Sequence, residues 1–215
     1  MKLYKNTLII SSIVFGVCVL LSIIFNFACI SDQKIIMFFS DYIIGIACSI
    51  IVVIITTFLQ FKYEQKKVLD SILSDVRIFL LHCHLAAISL DPKEETSEGL
   101  WDYQYEKLED EIRKISFQLS EIEWFSKKNA QTAFKLQKAA ILIRIEMAKE
   151  PHPKKSIEYI LGIPLIKDLK ENALALASPK GHDAQEIDSN YEKMLSELES
   201  LKEKGVTILN KEDAQ

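Results

Sequence analysis

The chain reads as an all-α protein: a two-pass transmembrane helical hairpin carrying a cytoplasmic antiparallel helical bundle, with the second span continuous with the first bundle helix. Segregated charge, two long uncharged stretches and helical periodicity over the remainder carry that reading. Apolar residues make up 49% of the 215 positions and charged residues 26%. Both fractions fit one chain because they occupy different parts of it. Residues 7–61 hold three charges, Asp32, Lys34 and Asp41, whereas 23 of the 26 Lys/Arg and 28 of the 30 Asp/Glu lie from Lys62 onward. Two domains follow: a membrane hairpin over 1–61 and a helical bundle over 62–215.

Thr7–Ile30 and Tyr42–Phe61 are uncharged over 24 and 20 residues and contain no proline. At about 1.5 Å per residue each spans a hydrocarbon core of about 30 Å. The first is too long for the apolar core of a signal peptide, about 7–15 residues. Asn26-Phe27-Ala28-Cys29 loosely matches a lipoprotein box, with Asn where that motif wants Leu. Lys2 and Lys5 precede the first span and Lys62, Lys66 and Lys67 follow the second, while the intervening 31–41 holds one Lys against two Asp. The positive-inside rule then puts both termini in the cytoplasm, the chain in the plasma (inner) membrane, and 31–41 in an external loop. Ile35–Phe39 in that loop is apolar and either dips into the interface or extends the second helix outward.

Each span carries one pair of small residues four apart, Ser12/Gly16 and Gly45/Ser49. Small residues let helix backbones approach in lipid. The two pairs either pack the hairpin on itself or form a subunit interface. No ionisable group sits at membrane depth, which argues against ion-coupled transport and proton relays. A pore lined by Ser22, Asn26, Thr56 and Thr57 is not indicated, since such hydroxyls tend to bond backbone carbonyls.

Between Ile46 and Asp91 there is neither Gly nor Pro. One helix is expected from about Tyr42 to Leu90, about 73 Å long with about 44 Å beyond the membrane. Leu69, Leu73, Val76, Leu80, Cys83 and Ala87 are spaced 4-3-4-3-4 along it, a heptad seam widened by Ile72 and Phe79. Its first four members are the expected assembly seam, because a helix rooted in the bilayer meets identical helices laterally. Asp91-Pro92 ends the helix, and 91–99 is a polar turn.

A second seam runs Trp101, Tyr105, Leu108, Ile112, Ile115, Leu119, Ile122. A third helix is expected over 130–149, with a wide apolar face typical of a bundle interior. Pro151-His152-Pro153 stops it. A fourth runs from Leu165 to Ala177 with Pro164 suited to a first helical position. The last carries Ile187, Tyr191, Met194, Leu198 and Leu201 and ends at Gly205, a C-cap residue. Strand alternation is confined at most to Val206–Leu209.

The candidate chemistry is sparse. His82-Cys83-His84 looks metal-binding, but residues two apart on a helix point about 200° from each other, and Cys83 lies on the apolar seam. Four cysteines without a C-x-x-C pair make neither a disulfide framework nor a zinc site. The carboxylates at 106–111 form a solvated face. No phosphate loop or nucleophile elbow occurs. Arg144 and His152 resemble the Arg/His pair of helical-bundle ribonucleases of the HEPN class, which are separated by four to six residues; here seven intervene and His152 lies between prolines.

The net charge of −5 from Lys62 onward, and acidic residues interleaved with Trp101, Tyr103 and Tyr105, argue against nucleic acid as a partner. The expected function is a non-enzymatic, membrane-anchored interaction and assembly module without cofactor or metal. Its partners are the lipid bilayer, further copies of itself, and a protein bound by the cytoplasmic bundle. Alternatives are an oligomeric pore or membrane-perturbing effector in bacterial stress or phage defence, and a divergent HEPN-like nuclease bundle.

Overall fold

A computed structural model describes residues 2–27, 33–91, 98–118, 127–149, 153–162, 164–177 and 182–204. Among these residues there are seven helices and no strand: α1 (Lys2–Phe27), α2 (Gln33–Ser89), α3 (Glu98–Gln118), α4 (Lys127–Met147), α5 (Pro153–Gly162), α6 (Leu165–Leu176) and α7 (His182–Glu203). The chain divides into two units, Met1–Lys66 and Lys67–Gln215, and α2 contributes to both.

In the first unit a sheltered stripe of α1 runs Tyr4, Leu8, Ser11, Phe15, Cys18 and Ser22, with Thr7 beside it, and one of α2 runs Ile43, Ala47, Ile50, Ile54, Thr57 and Phe61, followed by Glu64 and Gln65. Both stripes step alternately by 4 and 3, the period that keeps one face of a helix against a neighbour. The remaining faces are apolar and open: Ile10, Ile13 and Leu20 of α1 and Leu59 of α2 are all 60% exposed or more. Two stretches, Asn6–Ile24 and one within Asp41–Ser89, are long and apolar enough to cross a membrane.

The second unit has one hydrophobic core, to which α2 through α7 all contribute. Phe79, Ile72 and Leu80 enter it from α2, Leu108, Ile112 and Ile115 from α3, and Leu136, Ile143 and Met147 from α4, all completely or almost completely buried. Those of α2 and α3 are the seam residues legible in the sequence, whereas the wide apolar face expected of α4 is only partly used, with Phe134, Ile141 and Ile145 left exposed; burying each aliphatic or aromatic side chain contributes about 1.5–3 kcal/mol before chain entropy is set against it. The α6 and α7 helices close the core with Ile166, Leu169, Ala173, Ile187, Met194 and Leu201.

Helix boundaries differ from the sequence reading in informative ways. Residues 33–41 are not a loop, because α2 already begins at Gln33; the apolar Ile35–Phe39 segment belongs to that helix. The α3 and α4 helices start at Glu98 and Lys127, a few residues earlier than their apolar periods. The α5 helix was not anticipated at all. Its signal is short: Pro153 at the first helical position, then Ser156, Ile157, Ile160 and Leu161 on one buried side. Pro164 stands just before α6 as its cap residue, with φ −61° and ψ −19°, and its carbonyl accepts the Asp168 amide at 3.1 Å. The expected C-cap Gly205, the Val206–Leu209 stretch, Ala28-Cys29, Leu119, Ile122 and His152 lie outside the described residues.

Candidate functional sites: an open apolar helix pair and a buried polar seam

In the first unit the two small-residue pairs are not in the sheltered stripes. Ser12, Gly16, Gly45 and Ser49 are all exposed. A Cβ added at Gly16 or Gly45 would meet nothing within 4 Å. Gly45 and Ser49 form part of a groove of about 520 Å³ whose other walls include Ile10, Ser11 and Val14 of α1 and Asp41, Ile46 and Val53 of α2. In this groove Ser49 Oγ donates to the Gly45 carbonyl of its own helix at 2.9 Å, and two turns further along α2 Thr56 Oγ1 donates to the Val52 carbonyl at 2.9 Å. The side is therefore lined mostly by small and apolar residues, with Asp41 its one acidic member, and open.

The four residues of the assembly seam lie in the second unit. Leu73, Val76 and Leu80 are at most 4% exposed, and Leu69 is partly buried against the same core. Their apolar area is spent within the unit's own interior. What α2 leaves outside is a different side, with Leu81 and Leu85 exposed.

The His82-Cys83-His84 triplet is split by the helix, as 100° per residue requires. Cys83 is fully buried, and burial pushes its thiol far above the ordinary range, so it is an inert core sulfur. His82 lies against α3 beside Gln104 and within the field of Glu111. Among the described residues no group of three His, Cys, Asp or Glu side chains is arranged to hold a metal ion. Gln104 and Glu111 are each only 7% exposed. Three atoms in this seam, His82 Nδ1, Gln104 Oε1 and Glu111 Oε2, are buried without completing a hydrogen bond. The other Glu111 oxygen accepts from Lys114 Nζ at 2.6 Å, and that bond holds the Lys114 pKa up. Buried polar atoms without partners are rare in folded proteins, and each costs about 1–3 kcal/mol. Sequence reading passed over Gln104 and Glu111 because Glu111 sits in a run of surface carboxylates; its position one residue before the seam residue Ile112 was the available signal.

No family model, curated protein or solved structure matches this chain.

Arg144 is half-buried on α4, with its guanidinium 5.8 Å from the Phe117 ring centre. It shares a groove of about 320 Å³ with Tyr105, Glu109, Ile141, Ile145, Met147 and Ala148. Burial and the Glu109 charge hold the Tyr105 phenol above its ordinary pKa, so it stays a donor to the Met147 carbonyl at 3.5 Å. Glu109, Arg144 and Tyr105 are the groove's polar members among otherwise apolar residues, and His152 lies outside the described residues.

One end of the second unit gathers the helix termini. The Trp101 indole donates to the Ser89 carbonyl at 3.1 Å, at the end of α2. Ser156 Oγ donates to the Met147 carbonyl at 3.2 Å, at the end of α4. The last carbonyls of a helix have no partner within it, so these donors from other helices fix where α2 and α4 stop. Lys154 stands 4.5 Å from the Trp101 ring centre, and Lys204 pairs with Asp91 at 2.5 Å.

Proposed function

We propose that this chain is a two-pass protein of the plasma (inner) membrane, with both termini cytoplasmic and a non-enzymatic helical unit that assembles with further copies of itself. The observation that carries the reading is the exposed side of the first unit. From Ile9 to Ile24 and from Tyr42 to Leu59 most of the outward residues are aliphatic or aromatic, a surface larger than a soluble monomer leaves in water. Tyr42 and Tyr63 bracket the second stretch. At about 1.5 Å per residue they stand about 32 Å apart along the axis, close to the hydrocarbon thickness, where Tyr side chains sit at the two interfaces. Tyr4 shares a groove with Tyr63, which supports the same depth for the start of α1. The basic residues flanking this end, Lys62, Lys66 and Lys67, support the inward orientation.

Assembly is supported by the open small-residue sides. Gly16 and Gly45 leave room for a second backbone, and nothing within the unit uses that room. With α2's core seam consumed inside the second unit, assembly rests on the spans rather than on Leu69, Leu73, Val76 and Leu80. An oligomeric pore draws no support from the hydroxyls, since Ser49 and Thr56 donate back to their own helix.

Light scattering of the full chain in detergent, corrected for bound detergent, tests the assembly reading. A defined oligomer is expected, and a monomer at every concentration would overturn it. Orientation is tested separately by single-cysteine labelling in closed vesicles with an impermeant maleimide. Sites at 34 and 210 must label from opposite sides.

A further inference from the structure

The outer side of α2 carries an apolar stripe that the core does not use. Ile78, Leu81, Leu85 and Ile88 follow one another by 3, 4 and 3 residues. At about 3.6 residues per turn they lie on the side of α2 roughly opposite Ile72, Val76, Phe79 and Cys83, which have no exposed surface. Leu81 and Leu85 are 40% and 38% exposed, and Ile78 and Ile88 are half-buried. Ser71 and Ser74 continue the same spacing towards the span, so six successive positions of the stripe hold no charge. A helix on the outside of a bundle needs one apolar stripe, and a second stripe implies a second neighbour.

We infer that this stripe docks on the same stripe of a second copy, as a short parallel coiled coil. The contact presupposes the membrane assembly proposed for the chain and lies outside the spans. Its spacing averages about 3.5 residues, the period that keeps a seam turned towards a supercoiled partner helix. The helix that bears it also contains the second membrane-length stretch, since α2 runs unbroken from Gln33 to Ser89. Copies inserted the same way round are related by rotation about the membrane normal, so Ile78 meets Ile78 and Leu81 meets Leu81 with no shift of register. The stripe is also of a length that suits a tethered partner. Six positions make fewer than three heptads, too short to hold a free helix from solution, whereas copies joined through their spans meet at an effective concentration on the order of millimolar. Arg77, beside the stripe, does not oppose the approach, because Glu186 and Asp183 of its own chain stand 2.7 and 3.6 Å from its guanidinium.

The test is disulfide cross-linking of the full chain in membranes, with Cys18, Cys29 and Cys48 changed to Ser and the fully buried Cys83 kept. A disulfide needs Cα atoms about 4.4–6.8 Å apart, so it reports direct contact between helices. Leu81→Cys is expected to give a cross-linked dimer at a yield about tenfold or more above that of Asp102→Cys, an exposed site on α3. Light scattering of the same chains in detergent, before oxidation, reports the assembly itself. A monomer there overturns both the assembly and the stripe contact. An oligomer in which Leu81→Cys links no better than Asp102→Cys overturns the stripe contact alone and leaves association of the spans standing. A link formed only between Leu81→Cys and Leu85→Cys chains expressed together would mean antiparallel packing, and overturns the inference equally. Should the cysteine-substituted chain fail to fold, Leu81→Asp with Leu85→Asp in the otherwise unchanged chain decides. Both side chains are exposed, so helicity is expected to hold. The dissociation constant of the oligomer is expected to rise by about tenfold or more, since like charges on the seam oppose pairing. An unchanged constant overturns the inference.

Discussion

At Phe79 the side chain has no exposed surface and belongs to the core built by α2 through α7. Phe79→Ala leaves a cavity that the surrounding helices fill only in part, and an unfolding free energy lower by about 3–5 kcal/mol is expected from urea denaturation. Trp101→Phe is milder. It keeps the ring's packing but removes the donor to the Ser89 carbonyl, an expected loss of about 1 kcal/mol by the same measurement. Arg77 illustrates the opposite limit. Its guanidinium meets Glu186 at 2.7 Å and Asp183 at 3.6 Å, but the partners are 30–42% exposed, so solvent screens the pair. Arg77→Ala is expected to cost no more than about 1 kcal/mol, with a smaller difference at high salt. Of these residues Phe79 was legible in the sequence, since its place beside a heptad seam marks burial. Trp101's partner was not, because a hydrogen bond between side chain and backbone across helices leaves no periodic trace.

Among the helices, α2 shows most clearly how a pattern can be right while its use stays open. The seam Leu69, Leu73, Val76, Leu80 was visible as a heptad repeat, and a heptad repeat fits a neighbour in the same chain or in another. The structure buries it in the core made with α3 through α7, which leaves the spans as the assembly element. Gly45→Leu tests this at the scale of the helix. A Cβ added at Gly45 meets nothing within 4 Å, so helicity by circular dichroism is expected to be unchanged while the oligomer in detergent dissociates. A variant that keeps its full mass would remove Gly45 from the interface. The α5 helix marks the other limit of legibility. It has 10 residues, too few for a full apolar period to stand out between two prolines, and it is held by the core it covers and not by its own propensity.

On the scale of the whole chain, the division at Lys66/Lys67 separates a part that lacks an interior of its own from a part that has one. The charge boundary read after Phe61 lies close to it, because exposed apolar surface needs lipid and buried apolar surface needs a charged exterior. Burial of Ile157, Ile160 and Leu169 together with the α2 seam means that residues 67–215 contain a complete core. Expressed alone, that segment is expected to be soluble and to unfold cooperatively in urea, and recovery only as aggregates would show that the core depends on the spans.

The sequence by itself determined the helical class, the two membrane-length stretches and the core seams of α2, α3 and α7. These depend on period, length and charge, which are local along the chain. Only the tertiary structure decided which neighbour each apolar side meets, that Gly16 and Gly45 face outward, and that His82, Gln104 and Glu111 share one buried seam. Those facts belong to pairs of residues on different helices, and the distance between helices is set by packing, which no single stretch of sequence encodes.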